Sequence, residues 1–251
     1  MSLVPVFFRR RLWIRSHQWL SDLALSLVLP VILYLSIVLG FRNVVKVSPD
    51  VLPFQTWVLP GIMFIIVLVS SYFPVFADLF ENRKFFPFYE SISASPNSGL
   101  AVVTALAVSL LPDVILKTLV AGIILQFLGG SALPVLPFIG FFFFVVILGF
   151  LIINLALSLT LLIDSSSLHL SVIFILLIFL IVSSGWIIPL EYFPDSLSPL
   201  FAAFPTSQLM NGGRALLFHG ELTLFTWLIP LVISLVWLAL NSIIFVRVNT
   251  R

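Results

Sequence analysis

Residues 183–209 read SSGWIIPLEYFPDSLSPLFAAFPTSQL. The apolar run that enters this stretch ends at Pro189. Glu191 and Asp195 follow, and apolar residues resume at Leu197, interrupted by Pro194, Pro199 and Pro205. About twenty apolar residues cross a bilayer, and this stretch is too broken for that and too apolar for a hydrated loop. Residues 197–204 (LSPLFAAF) would rise only about 12 Å as a helix. Left in water, Leu197, Leu200, Phe201 and Phe204 would each forgo about 1.5–3 kcal/mol of burial. Short helices that dip into one leaflet and return on the same side satisfy both limits.

The rest of the chain explains why such a segment is needed. Of 251 residues, 61% are hydrophobic and 9% charged, with a mean hydropathy of +1.24. A soluble domain carries about 25% charged residues, so this is an integral membrane protein. Cysteine is absent, which excludes disulfides, thiolate chemistry and Cys-based metal sites. No acidic or basic tail points to nucleic acid. The basic FFRRRLW at the start precedes an apolar run too long for a secretory h-region, which predicts an uncleaved first span.

Windows long enough to cross about 30 Å of hydrocarbon fall at 20–41, 55–77, 100–128, 135–162, 169–189 and 222–246. Each is expected to be helical, because backbone polar groups in lipid must be satisfied internally. The third is long and carries Pro112, so it is expected to bend or to project beyond the membrane. With the N-terminus inside, the inner segments hold Arg9, Arg10, Arg11, Arg15, Arg83, Lys84, Arg247 and Arg251, against Arg42, Lys46 and Arg214 outside. That asymmetry puts both termini in the cytoplasm and residues 183–221 outside.

Four constellations stand out. Arg11, Arg15, Gln18 and Asp22 share one helix face, flanked by Trp13 and Trp19. They are expected to form an interfacial helix over 1–19 on the cytoplasmic surface. The inner loop ADLFENRKFFPFYESISASPNSG, residues 77–99, mixes charge with aromatics. Glu81, Arg83, Lys84, Phe85, Tyr89 and Glu90 read as a docking surface, or as a helix resting on lipid. In the third span Ser109, Asp113 and Lys117 share a face. They either line a conduit or brace two helices through an acid four residues before a base. Asn154 and Ser158, one turn apart in the fourth span, read the same way, as helix–helix bonds or as part of a pathway.

The three histidines, His17, His169 and His219, lie in separate segments without ligand spacing, so no metal site is expected. No nucleophile–base arrangement, paired carboxylates or phosphate-binding G-x-x-x-x-G-K-[ST] motif is present, and catalysis within the chain is not expected.

In layout the chain resembles the type-2 permease family of ATP-binding-cassette transporters. The resemblance rests on a basic start, a short inner helix after span two and an elaborated outer segment between spans five and six. Gly185, Pro189, Pro194, Pro205 and Arg214 occupy that family's loose Gly–Pro–Pro–Pro–Arg sequence, with Trp186 beside the glycine. YESISASP, with Glu90, Ile92, Ser95 and Pro96, matches its acid–aliphatic–hydroxyl–Pro run. KFFPF departs from it, since many members have a small residue after the basic one.

The resemblance implies a single transmembrane domain over 1–251, with a coupling helix and turn at 78–99 and outer re-entrant helices at 186–221. It implies an exporter of amphipathic cargo, a lipid-linked glycan or a drug-like or lipid molecule, in a prokaryotic plasma membrane. Two permease copies, expected as a homodimer, would be served by two separate ATPase subunits that bind the ATP and Mg. The alternative is a stand-alone channel or secondary transporter that uses Asp113 and Lys117. An embedded lipid-modifying enzyme would need a cluster of acids or a nucleophile at one interface, which the chain lacks.

Overall fold

The computed structural model describes residues 3–41, 52–81, 97–130 and 133–249. Within them, the side chains of Ile14, Arg15, Gln18, Ser21, Leu25, Phe80, Glu81 and Asn249 are not described. Arg83, Lys84, Phe85, Tyr89 and Glu90 of the expected coupling helix therefore lie outside the described residues, as does the side chain of Glu81.

The described residues are all-helical. Long helices are α1 (Leu3–Phe41), α3 (Leu59–Val75), α4 (Gly99–Gly129), α5 (Val135–Leu162), α6 (Ser166–Ser183) and α9 (Leu224–Asn249). A short α2 (Phe54–Trp57) leads into α3, which continues as a π-helical turn over Phe76–Glu81. Between α6 and α9 lie a 3₁₀ turn (Leu190–Tyr192), α7 (Ser198–Ala202), α8 (Pro205–Arg214) and a π-helical turn (Ala215–His219). Six segments are long and apolar enough to cross a membrane: Asp22–Phe41, Phe54–Leu79, Gly99–Gly129, Val135–Leu162, Ser166–Ser183 and Leu224–Val248. The chain is thus a multi-pass membrane protein.

The long helices alternate in direction. At one end the start of α1 meets the end of α3, through Arg11 and Asp78. At that same end the start of α4 meets the end of α9, where Gly99 faces Val246, and the start of α6 meets α3, where His169 meets Tyr72. At the other end Phe41 meets Phe54, with ring centroids 6.4 Å apart, and Tyr34 bonds the Leu128 carbonyl. We call these the basic and the capped ends. Helices α3, α4 and α5 form the packed centre, with Phe64, Leu110, Phe144 and Leu148 fully enclosed, and α9 packs along α5 and α4. Helix α1 packs chiefly along α4. Helix α6 stands at the margin, and its buried residues are His169, Ile173 and Ser183.

One boundary is corrected, and two helices run on unbroken. The segment expected to be interfacial over 1–19 and the first span form one helix of 39 residues, along which Arg11 meets Asp78 and Asp22 meets Lys117. The fifth span ends at Ser183 rather than 189. There Ser184 ends the helix and Gly185 takes φ +69°, a backbone state open to glycine without penalty. Finally, α4 runs through Pro112 as one helix.

Candidate functional site

An apolar bundle advertises its working parts through its polar ones, because ionisable and amide groups at membrane depth persist only with partners. Three such groups stand out among the described residues, beside the buried His169 that meets Tyr72.

The first is a charged seam between α1, α3 and α4. Arg11 meets Asp78 at 2.9 Å and Arg10 meets the same carboxylate at 3.4 Å. Nearer the middle of α4, Lys117 Nζ lies 3.0 Å from Asp113 and 3.2 Å from Asp22. Of the stripe read from the sequence, Arg11 and Asp22 therefore turn inward to the protein. Ser109 does not join the seam, because its hydroxyl donates to the Leu106 carbonyl at 2.8 Å. Trp13 and Trp19 point away from it and are exposed.

The second is a ladder between α5 and α9. Asn154 Nδ2 donates to the Phe150 and Ser234 carbonyls at 2.9 and 3.3 Å. Ser158 donates to Asn241 Oδ1 at 2.6 Å and accepts from Trp237 Nε1 at 2.7 Å. Asn241 Nδ2 reaches back to the backbone and side-chain oxygens of Asn154 at 2.9 and 3.2 Å. Each amide is engaged on both faces, so the arrangement locks two helices. Of the two readings of Asn154 and Ser158, the geometry supports helix–helix bonding.

The third closes the capped end. Past Gly185 the chain turns so that Trp186 enters the bundle fully buried, edge-on to Phe64 with centroids 5.7 Å apart. The entry requires a glycine opposite, since a Cβ on Gly61 would stand 1.9 Å from the Trp186 carbonyl oxygen. Arg214, at the end of α8, donates to the Gly185 and Trp186 carbonyls at 2.7 and 3.0 Å. Its guanidinium lies 3.5 Å from the centre of the Trp57 ring, a cation–π contact strengthened by desolvation. The prolines punctuate the segment. The Pro189 carbonyl accepts from Tyr192 and the Pro194 carbonyl from Leu197, while Pro205 opens α8, where its missing N–H is not needed. Phe201 packs edge-on to Phe193 and Phe179, whereas Leu197 and Leu200 remain exposed.

The structure thus brings Asp22, Asp113, Lys117 and Arg11 into one seam, and Gly185, Trp186 and Arg214 into one cap. Asn154 and Ser158 belong to neither. Sequence reasoning missed Asp78, Trp57, Asn241 and Trp237. Asn241 carried a signal of its own, as a lone amide deep in an apolar run. Comparison with protein-family models and with curated protein sequences yields no match to this chain.

Proposed function

We propose that this chain is the permease subunit of an ATP-driven exporter in a prokaryotic plasma membrane, with both termini cytoplasmic. The observation that carries the reading is the capped end. A broken segment folds back onto a bundle of six alternating spans and is held there by Arg214 on the carbonyls of Gly185 and Trp186. A segment so placed forms short re-entrant helices in the outer leaflet and shields the outer mouth of a path between two copies of the chain. The positive-inside asymmetry puts this end outside.

ATP and Mg would be bound by two copies of a separate ATPase that dock on residues 78–92, next to the Asp78 junction. The interfacial role expected of residues 1–19 contracts to their first turns, level with Asp78. Cargo would be amphipathic, a lipid-linked glycan or a drug-like or lipid molecule.

The alternative, a channel or secondary transporter using Asp113 and Lys117, rests on the depth of that pair. Their enclosure with Asp22 supports a brace instead.

The test is purification from native membranes with a tag on this chain. A Walker-containing ATPase should co-purify in equal amount, and hydrolysis should be confined to the complex. Transport by the chain alone in proteoliposomes, without any ATPase, would overturn the reading.

A further inference from the structure

The first half of α1 is built inside out. Arg9 is exposed, but Arg10 and Arg11 turn inward onto Asp78 and Asp22 turns inward onto Lys117. Its outward face is largely apolar, with Val6 61%, Leu12 51%, Trp13 65%, Trp19 59%, Leu20 66% and Leu23 49% exposed, and its polar members Ser16 and His17 bond back to the Trp13 carbonyl. A helix standing in water keeps its polar residues outermost, and one lying flat on a membrane keeps its charges toward the solvent. Neither description fits this face.

The register with α4 sets the depth. Lys117 reaches Asp22 across 95 residues of chain, and Tyr34 reaches Leu128 across 94. The two helices therefore run side by side in the same direction without slippage. By that offset, residues 12–22 of α1 stand level with about residues 106–117 of α4, in the middle of the span Gly99–Gly129. That helix rises about 46 Å and exceeds a ~30 Å hydrocarbon core by about 8 Å at either end. The core begins near residue 104 of α4, which is level with about residue 10 of α1.

We propose that bilayer lipid covers the outward face of this half-helix, and that hydrocarbon contact begins at about Leu12. That is some three turns before Asp22, where composition alone starts the span. Trp13, Trp19, Leu20 and Leu23 then meet acyl chains, and the seam from Arg11 to Lys117 is a membrane-embedded one. Hydropathy misplaces the boundary because it counts inward charges as though they faced lipid. The inference is independent of any transport activity.

The chain contains no cysteine, so Leu12→Cys, Ser16→Cys, Leu20→Cys and Leu23→Cys can each carry a single nitroxide. The full chain is reconstituted into phosphatidylcholine–phosphatidylglycerol vesicles, and power saturation is read with oxygen and with a nickel chelate. At Leu20 and Leu23, oxygen access should exceed nickel access. Immersion should deepen by about 12 Å from Leu12 to Leu20, as eight residues of upright helix require. One shallow depth at all four positions would mean a helix lying flat, and dominant nickel access would mean water. Low access to both reagents would mean cover by a second protein copy. Any of these three results overturns the proposal. Ser16→Cys removes no apolar side chain, so the depth series survives the loss of any one leucine variant.

Discussion

Replacing Lys117 with methionine tests whether the charged seam holds the bundle together. The ammonium lies 3.0 Å from Asp113 and 3.2 Å from Asp22, and the lysine side chain is only 7% exposed. Methionine keeps most of the volume and deprives two carboxylates of their shared cation. Removing one member of a buried ion pair costs about 3–5 kcal/mol, because the remaining charge is left in low dielectric. Asp22 is 29% exposed and can recover some hydration, which points to the lower end, about 3 kcal/mol. An ordinary interhelical hydrogen bond in a membrane is worth only about 0.6 kcal/mol, so the two descriptions are separable. The assay is reversible unfolding in mixed micelles, titrated with a denaturing detergent. K117M should lose about 3 kcal/mol, and the triple variant K117M/D22N/D113N should regain most of it, since no isolated charge remains. If K117M stays within about 0.5 kcal/mol of the parent, well below the loss expected for a buried ion pair, the seam is not an energetic brace. A stable, folded K117M protein that has lost transport would instead favour a pathway role for the pair.

Other outcomes follow from the cap and the ladder. Arg214→Gln gives up the bonds to the Gly185 and Trp186 carbonyls and the ring contact with Trp57. It should destabilise by about 2–4 kcal/mol, with a red shift in tryptophan emission on thermal melting. Gly61→Ala places a methyl against the Trp186 backbone, and about 1–3 kcal/mol of overpacking should make residues 190–219 more susceptible to limited proteolysis. Asn241→Leu strips partners from Ser158 and Asn154. It should cost about 1–3 kcal/mol, with strong coupling to Asn154→Leu in a double-mutant cycle. For the re-entrant reading, single cysteines at Asp195 and His219 should label from outside with a water-soluble thiol reagent, while one at Leu200 should resist it. Uniform labelling would mean a hydrated loop.

The span count was legible because it depends on local composition, and lipid leaves a helix no alternative. Partners were not legible, because they lie far apart in the chain. Asp22 and Lys117 are 95 residues apart, and Ser158 and Asn241 are 83 apart. The stripe at Arg11 and Asp22 was visible as a stripe, but periodicity says only that residues share a face, not whether it looks inward or outward. The same ambiguity hid the unbroken run of α1. The early end of α6 was missed because hydropathy continues through Trp186–Ile188, whereas the helix is ended by the backbone of Gly185. The Gly–Pro–Arg pattern of the cap was visible in the sequence, but the use of Arg214 as a bridge to two carbonyls was not.

The shortness of α6 carries a further consequence. Its 18 residues rise about 27 Å, against about 46 Å for α4 and 42 Å for α5. It is tied at both ends, by His169 to Tyr72 and by Ser184 to Thr206 at 2.6 Å, so it cannot slide to find a better level. A membrane bordering this protein therefore meets a taller wall along α4 and α5 than along α6, whose helix falls about 3 Å short of a ~30 Å core. The protein carries its own local bilayer thickness, and thicker, sterol-like or long-chain membranes would press first on the α6 margin.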